Sequence, residues 1–291
     1  MGTIVRSSHI VVTPSRNEST FLPDLIASMS KQTVKPSKWI IVDHNSTDST
    51  SEIVSEAMRS FAWIEYILIE DDSERKRGAQ IARLFNLGIS IANNEWDFCS
   101  KIDADMILPE NYFEKIFNRF NQNHNLGIAS GSCFVMNGKK KKLEFVSRDH
   151  TRGGLKTYRR ECYEDIGGIR EIDGWDGVDN ILAQMSNWET RHFPHIEVHH
   201  QRITGSYYGL LRGCFEVGKF SYSMRYFPPF IIARSIHRSF RKPIILGGIS
   251  LFLGFIWGAL QRIPPVMERE EQIFIRTKQK RMLLQWYRYL R

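Results

Sequence analysis

The sequence predicts an α/β fold, in which a mainly parallel sheet is flanked by helices and followed by a C-terminal helical segment of different character. Three observations lead to this prediction. Short β-rich runs alternate with stretches of helical apolar spacing, as in parallel sheets whose strands are joined by helices. Polar, acidic turns follow two of these runs. From residue 201 onward, the chain instead combines a long uncharged run with an excess of basic residues.

The individual elements follow from this periodicity and from the turn residues between them. The first strand covers 9–13 and ends at Pro14. Helices are then predicted at 22–32, near 50–59 and at 78–93, and they alternate with strands at 39–42, 64–69 and 96–102. A hairpin around Asn137-Gly138-Lys139, a strand-rich stretch near 152–160 and a helix near 177–187 follow. Ligands of such sheets bind beyond the carboxyl ends of the strands, so the turns at Asp43 and Asp103 are the candidate site.

Positive charge is concentrated in the C-terminal third. Residues 1–200 hold 24 Lys and Arg against 28 Asp and Glu, whereas residues 201–291 hold 16 against 4. This asymmetry predicts a polyanionic partner, either nucleic acid or an anionic membrane surface. The uncharged run 243–261 fits a transmembrane helix, an in-plane or re-entrant hairpin, a buried helix pair or an oligomer interface. Because no nucleic-acid motif is recognisable, we predict an anionic membrane surface and no nucleic acid, and leave the oligomeric state open.

The cysteines bear on the cellular compartment. Four of them are widely separated and form no C-x-x-C pair: Cys99, Cys133, Cys162 and Cys214. This spacing argues against a disulfide framework and a zinc site, and indicates a reducing compartment. The start of the chain has no secretory-signal pattern. We therefore expect the protein at the cytoplasmic face of the cell membrane.

A pair of carboxylates follows the predicted strand 96–102, in the triplet Asp103-Ala104-Asp105. Two carboxylates spaced in this way can share one divalent cation, and Mg²⁺ or Mn²⁺ favours such oxygen ligands together with substrate phosphates. The triplet alone is a weak signal because it also occurs by chance in solvated turns.

Three runs in order carry a resemblance to a known family: 11–18 (VVTPSRNE), 40–50 (IIVDHNSTDST) and 101–105 (KIDAD). Together they resemble the family 2 glycosyltransferases with the GT-A fold, over about residues 8–205. The resemblance implies an enzyme that uses a nucleotide-sugar donor and a divalent metal. It is specific for the fold and the reaction type, but not for the sugar.

The resemblance also implies a donor site. The base and ribose pocket would be lined by Pro14, Arg16, Asn17, Glu18 and Asp43. His44 stands where relatives often have a second Asp, so the identity of the base stays open. Asp103 and Ala104 would contact the ribose and the metal region, and Asp105 would be the firmer metal ligand. Arg77 and Arg83 lie where relatives keep a basic residue near the nucleotide, although a surface helix arginine is the alternative.

The acceptor side is implied by the segment 167–180 (GGIREIDGWDGVDN), which resembles the family's G-G-F-x-E segment and the acidic motif after it. That motif carries the general base of inverting members. Asp176 and Asp179 both fit this role, and the alternative is a helix cap. Trp175 is a candidate sugar-stacking platform or a buried tryptophan. His199 and His200 are candidates to complete the metal site, and a structural histidine is the alternative.

The sequence is thus interpreted as a GT-A domain over 1–205, with a donor half at about 8–110 and an acceptor half at about 111–205. A helical membrane-association region follows over 206–291. The predicted reaction is inverting transfer of a sugar from a UDP- or GDP-sugar to a glycan or lipid-linked acceptor. Two alternatives are a nucleotidyltransferase that makes an activated sugar, and a non-catalytic membrane scaffold with a vestigial sugar-binding domain. The first is disfavoured because 14–18 contains no glycine for a phosphate loop.

Overall fold

A computed structural model describes residues 8–70, 78–92, 96–138, 140–144, 150–202 and 209–289. The chain divides into two compact units, Met1–Arg202 and Ile203–Arg291. The sequence interpretation had put this division at 205/206.

The first unit contains the sheet. Its strands are β1 (His9–Ser15), β2 (Lys38–His44), β3 (Ile64–Ile69), β4 (Phe98–Ile102), β5 (Met106–Ile107), β6 (Leu126–Asn137), β7 (Lys140–Leu143), β8 (Leu155–Arg159) and β9 (Glu189–His200). Its helices are α1 (Leu22–Ser30), α2 (Thr50–Ser60), α3 (Ala79–Ile91), α4 (Tyr112–Gln122), α5 (Arg160–Asp165) and α6 (Trp175–Met185).

The strand order is β3-β2-β1-β4-β8-β6-β9-β5, with β7 paired to β6. The pairs β3–β2, β2–β1, β1–β4 and β6–β9 are parallel, while β4–β8, β8–β6, β6–β7 and β9–β5 are antiparallel. The sheet is therefore mixed, which corrects the prediction of a mainly parallel sheet. The periodicity of the first hundred residues described only β1 to β4, whereas β8 runs back between β4 and β6.

Helices cover both faces of the sheet because the central strands are apolar on both sides. Along β1, Val11 faces one side while Ile10 and Val12 face the other, as the alternation of a strand requires. The first core cluster includes residues of α1, α2 and α4, and the second includes residues of α3, α5 and α6. Strands buried on two faces show the near-continuous apolar runs that the sequence displays.

The predicted hairpin forms between β6 and β7, with Phe134 opposite Leu143. The lysines after the turn are themselves the exposed strand β7.

The second unit is helical in its described part, with α7 (Leu210–Ser223), α8 (Pro228–Ser239), α9 (Leu246–Leu260) and α10 (Arg269–Tyr289). Cys214, Ile231, Leu251 and Phe255 form its buried cluster. Within α10, Ile275 and Gln279 are buried, and the amide oxygen of Gln279 accepts a hydrogen bond from the backbone N–H of Phe227 at 2.8 Å.

The glycines of α9 face its neighbours, and most of its large apolar side chains do not. A Cβ atom at Gly254 would collide with the backbone carbonyl of Phe215 in α7, and one at Gly248 with the carbonyl of Ser235 in α8. The exposed large side chains of α9 are Leu246, Ile249, Phe252, Leu253, Ile256, Trp257 and Leu260. The helix therefore packs through its smallest residues and leaves an apolar surface, hereafter the α9 surface, on its outer side.

None of the helices in the described part of the chain combines the length and the hydrophobicity needed to cross a membrane.

The close approach of α7 and α9 leads us to predict how substitutions of their glycines change the free energy of unfolding. Gly254→Ala should lower the free energy of unfolding by about 1–3 kcal/mol, because backbone cannot move aside as a side chain can. Gly213→Ala, within α7, is the matched control: no described atom lies within 4 Å of the added Cβ. It should instead raise the free energy of unfolding by up to about 1 kcal/mol, because alanine is the better helix former. Urea unfolding of both variants tests this, and equal effects would contradict the packing.

Candidate active site

The carboxyl ends of β1, β2 and β4 meet at one edge of the sheet. Ser15 lies opposite Asp43 in the β1–β2 register, and Val12 lies opposite Lys101 in the β1–β4 register. The turns that follow these strands, at 16–18, 43–50 and 103–105, are therefore neighbours. This is the edge at which α/β folds bind ligands.

The turns after β1 and β2 are joined by hydrogen bonds between side chains and backbone. Asn17 has a φ of 55°, a left-handed conformation that asparagine tolerates. Its side-chain amide oxygen accepts a hydrogen bond from the backbone N–H of Thr47 at 2.7 Å, and its backbone N–H donates one to Ser46 Oγ at 2.8 Å. The backbone N–H of Glu18 donates to Thr50 Oγ1 at 3.0 Å. These bonds fix the shape of the predicted nucleotide pocket.

Asp43 and His44 are buried at the end of β2. Asp43 accepts hydrogen bonds from Tyr66 at 2.6 Å and from Ser46 at 2.5 Å. Burial and the bond to Asp43 raise the pKa of Tyr66, so its hydroxyl stays protonated and donates. Nδ1 of His44 accepts from Arg16 at 3.0 Å, and the side-chain amide of Gln80 lies 3.1 Å from its Nε2.

The pairing of β5 with β9 brings a histidine to the acidic triplet. Met106 lies opposite His200, and Ile107 opposite His199. Nε2 of His200 is 3.1 Å from Asp105 Oδ2. Since neighbouring side chains of a strand point to opposite faces, His199 is directed elsewhere and stacks on Phe134, at 5.2 Å between ring centroids.

Asp105 lies at the centre of a network of acidic and basic side chains. Arg202 donates from Nε to Asp105 Oδ2 at 2.6 Å and from Nη2 to Glu18 Oε1 at 2.9 Å. On the other side, Nδ1 of His200 is 3.3 Å from Glu144 Oε2, and Glu144 is ion-paired with Arg152. The network thus joins the turn after β1 to the end of β9 and to the segments that follow β7 and precede β8.

The electrostatic environment of Asp105 suits coordination of a metal cation by its carboxylate. Burial alone would raise the pKa of its carboxyl, but hydrogen bonding and electrostatic attraction from His200 and Arg202 outweigh burial and lower the pKa from 3.8 to about 2. The residue is 4% exposed, and its Oδ1 has no hydrogen-bond partner among the described residues. An ionised carboxylate with one buried, unengaged oxygen fits a hard divalent cation.

A group of three or more His, Cys, Asp and Glu side chains arranged for a metal is not found in the described part of the chain.

Two glycines separate Asp103 from Asp176. The backbone N–H of Asp103 donates to the carbonyl of Gly154 at 3.0 Å, and Lys101 is ion-paired with the Asp103 carboxylate. A Cβ atom at Gly154 would lie 2.6 Å from Asp103 Oδ2, and one at Gly153 would lie 3.1 Å from Asp176 Oδ2. The carboxylates of Asp103 and Asp176 thus lie against consecutive residues of the same backbone.

The two candidate bases have different environments. The Asp176 side chain is 40% exposed, with His150 Nε2 at 3.9 Å from its Oδ2. Asp179 is 1% exposed, and Lys156 donates to its two oxygens at 2.5 and 2.6 Å. Tyr158 donates to the same carboxylate at 2.5 Å. Burial lowers the pKa of Lys156, and the carboxylate of Asp179 opposes that shift.

Trp175 is buried at 5% exposure. The ammonium groups of Lys101 and Lys156 each lie 5.3 Å from the centre of its ring. The ring therefore packs beneath the site, between the two lysines that hold Asp103 and Asp179. Its role in acceptor stacking stays a prediction.

The structure thus brings together most of the predicted site residues at one sheet edge. These are Pro14, Arg16, Asn17, Glu18, Asp43, His44, Asp103, Ala104, Asp105, Asp176 and His200. His199 is turned away towards Phe134, and Asp179 lies in the interior. Arg83 is an exposed residue of α3, and Arg77 lies outside the described residues.

Sequence reasoning missed several polar residues of this edge: Tyr66, Gln80, Lys101, Glu144, Arg152, Gly153, Gly154, Lys156 and Arg202. One signal was available. Lys101 and Lys156 interrupt the runs of β4 and β8, which are otherwise buried, and a lysine is almost never fully buried unless it is paired.

Comparison with known proteins gives a family. The family model described as Glycosyl transferase family 2 matches residues 10–171. A glycosyltransferase, GlyG, of Streptococcus pneumoniae is 31% identical over 109 residues, which are 38% of this chain and 34% of GlyG. The poly-β-1,6-N-acetyl-D-glucosamine synthase of Staphylococcus epidermidis is 27% identical over 136 residues, 45% of this chain and 31% of the synthase. The chain thus spans about a third of the length of these curated relatives.

Solved structures share the fold. The mannosyltransferase PcManGT from Pyrobaculum calidifontis, in complex with GDP-Man and Mn²⁺, has a TM-score of 0.58 at 16% identity, covering 99% of this chain and 84% of its own. S. aureus TarS 1–349, in complex with UDP-GlcNAc, has a TM-score of 0.56 at 18% identity, covering 74% of this chain and 65% of its own.

The depressed pKa of Asp105 makes a prediction about pH. A carboxyl with a lower pKa in the folded state contributes stability that is present above the unfolded pKa of 3.8 and is lost as pH falls towards about 2. In the presence of chelator, lowering the pH from about 6 to about 3 should therefore reduce the free energy of unfolding of the native protein. This reduction should be about 1 kcal/mol larger than the reduction in the Asp105→Asn variant. Urea unfolding across this range measures the difference. Parallel stability curves would show that the carboxyl is not held by His200 and Arg202.

Proposed function

The chain belongs to glycosyl transferase family 2, and we propose from this premise that it transfers a sugar from a UDP- or GDP-sugar to a glycan or lipid-linked acceptor. The observation that carries the proposal is the sheet edge at which Asp103 and Asp105 lie beside Asp176 across Gly153 and Gly154. The nucleotide sugars in the TarS and PcManGT structures support this donor class. The named product of the S. epidermidis synthase supports a glycan acceptor.

The turns after β1 and β2 would hold the nucleotide. Arg16 supplies positive charge beside His44, and Asn17 keeps the turn in shape through Thr47. The ring nitrogens of His44 already have partners in Arg16 and Gln80, so the nucleotide base would meet a preformed polar group. Arg77 and Arg83 remain candidates for contact with the phosphates.

Asp105 would hold the divalent cation, Mg²⁺ or Mn²⁺, with Asp103 beside it. The Mn²⁺ of the PcManGT and GalNAc-T7 structures supports this choice of ion class. When bound, such an ion would neutralise the diphosphate of the donor.

Asp176 would be the general base. Its carboxylate takes the proton of the acceptor hydroxyl while the acceptor oxygen forms a bond to the anomeric carbon. The bond from that carbon to the phosphate oxygen breaks, and its electron pair leaves with the nucleoside diphosphate. Attack from the face opposite the leaving group inverts the configuration at the anomeric carbon.

Asp179 is less suited to this role, because its carboxylate is buried and engaged by Lys156 and Tyr158. An acceptor hydroxyl would need to displace both partners in order to reach it. A buried ion pair broken in this way leaves an uncompensated charge, at a cost of about 3–5 kcal/mol.

The experiment that tests the reaction compares the two carboxylates in transfer assays with UDP- and GDP-sugars and Mn²⁺. Asp176→Asn should lower kcat by about 10²–10⁴-fold with little change in donor Kd, because the base acts only on the acceptor proton. Asp179→Asn should keep most of kcat and lose stability instead, by about 3–5 kcal/mol. Full activity in excess chelator, a product with retained configuration, or normal kcat in Asp176→Asn would each contradict the proposal.

We further propose that the second unit attaches the enzyme to the cytoplasmic face of an anionic membrane. The α9 surface is flanked by exposed basic residues, Arg241 and Lys242 before α9 and Arg262 after it. An apolar surface of this kind is uncommon on soluble monomers, and nearby lysine and arginine add about 1 kcal/mol each on an anionic bilayer. All four cysteines are buried thiols outside disulfides, which suits a reducing compartment.

Vesicle sedimentation tests the attachment. The full-length protein should bind vesicles that contain phosphatidylserine better than neutral vesicles, and part of the binding should survive high salt. Trp257→Glu should weaken binding about tenfold or more, since it puts a charge on the α9 surface. Leu68→Glu is the matched control, because Leu68 is as exposed as Trp257 (47% and 48%) but lies in β3. Failure of the full-length protein to bind vesicles, or equal effects of the two substitutions on binding, would contradict attachment. Dissociation of an oligomer by Trp257→Glu would also contradict it, because the α9 surface would then be an interface between copies of the chain.

A further inference from the structure

We propose that Lys156 is a positioning residue for the transfer reaction: it holds the first turn of α6 so that Asp176 lies beside Gly153, opposite Asp103. This inference rests on the proposed function, in which Asp176 is the base. It concerns a residue of β8 that has no place in the donor motifs or in the acidic motif itself.

Lys156 contacts three of the first five residues of α6. Its Nζ donates to the backbone carbonyl of Asp176 at 2.6 Å and to the carboxylate of Asp179 at 2.5 Å. The same ammonium group lies 5.3 Å from the centre of the Trp175 ring. The lysine is fully buried, so these contacts are shielded from water.

The start of α6 has few other attachments. The residue before it, Gly174, has a φ of 72°, and among the described residues no side chain caps this end of the helix. Asn180 supplies one further bond, from its side-chain amide to the Asp176 carbonyl at 2.7 Å. The position of the Asp176 peptide therefore depends on Lys156 and Asn180.

Helix stability does not account for a lysine at this place. The N-terminal end of a helix carries partial positive charge, so an ammonium group there is unfavourable. A buried ion pair is often no more stabilising than apolar residues of similar volume. The Lys156–Asp179 pair is better explained by the position in which it fixes the start of α6. It ties β8, whose Leu155 pairs with Ile102 just before Asp103, to the residue that would accept the proton.

The consequence is geometric. Leu155 follows Gly154, which bonds to Asp103, and Lys156 bonds to Asp176. Gly154 and Lys156, on either side of Leu155 at the start of β8, thus set the positions of the donor-side and acceptor-side carboxylates. Displacement of a reacting group by about 1 Å can lower the rate about 10²-fold, so a loosely held first turn of α6 would lower kcat.

The test removes both charges of the pair together, so that neither is left buried alone. In Lys156→Met/Asp179→Asn, the Asp176 carbonyl loses its ammonium donor. The double variant should lose about 100-fold in kcat, with donor KM and thermal stability near those of the native protein. Tyr158→Phe is the matched control: it removes a buried hydrogen bond from Asp179 but leaves Lys156 on Asp176. It should lose stability and keep kcat within about threefold.

A second arm separates positioning from general damage. In an Asp176→Asn background, the Lys156→Met/Asp179→Asn change should produce no further loss of kcat, because the group that it positions is absent. An additive loss would overturn the inference, as would native kcat in the double variant. If Asp176→Asn alone kept native kcat, the proposed base would be wrong. If Asp176→Asn were inactive and the double variant fully active, only the role of Lys156 would be wrong.

Discussion

Burial of carboxylates at the edge of the sheet is the constraint on which the rest of the site depends. An ionised carboxylate removed from water is costly unless a cation or several hydrogen bonds compensate it. Four carboxylates of this edge have a cationic partner: Lys101 for Asp103, Arg202 for Asp105, Arg152 for Glu144 and Lys156 for Asp179. Asp43 is compensated instead by hydrogen bonds from Tyr66 and Ser46. The Arg202–Asp105 and Lys156–Asp179 pairs connect segments that are distant in sequence, so the charges that build the site also hold separate parts of the fold together.

The donor half of the fold could be predicted from sequence because its signals are local. A strand followed by Asp43, and another followed by Asp103, are visible in a window of ten residues, and their shared edge follows from parallel pairing. The choice between Asp176 and Asp179 could not be made in this way. They lie three residues apart on one helix, and their difference comes from Lys156, which is twenty residues earlier on an antiparallel strand.

The C-terminal unit shows a second limit of sequence reading. A run of 19 uncharged residues gives the same composition for a membrane span, a core helix or an interfacial helix. The packing of α9 depends on which of its sides meets α7 and α8, and in the structure that is the side that carries the glycines. The backbones approach closely at Gly254 and Gly248, and most of the larger residues are therefore left on the outside.

The paired histidines at the end of β9 have a consequence for tolerance to insertions and deletions. The β6–β9 register shifts between Gly131 and Ser132, where residues 194–196 have no opposite partner. Such a bulge is a place where a strand can gain or lose a residue locally. A slip of one residue beyond it would exchange the faces of His199 and His200. If the bulge gained one residue, His199 would take the place of His200 and an imidazole would still face Asp105, whereas loss of one residue would bring Gln201 there. The paired histidines therefore make this corner robust to an insertion that would usually remove a side chain from a site.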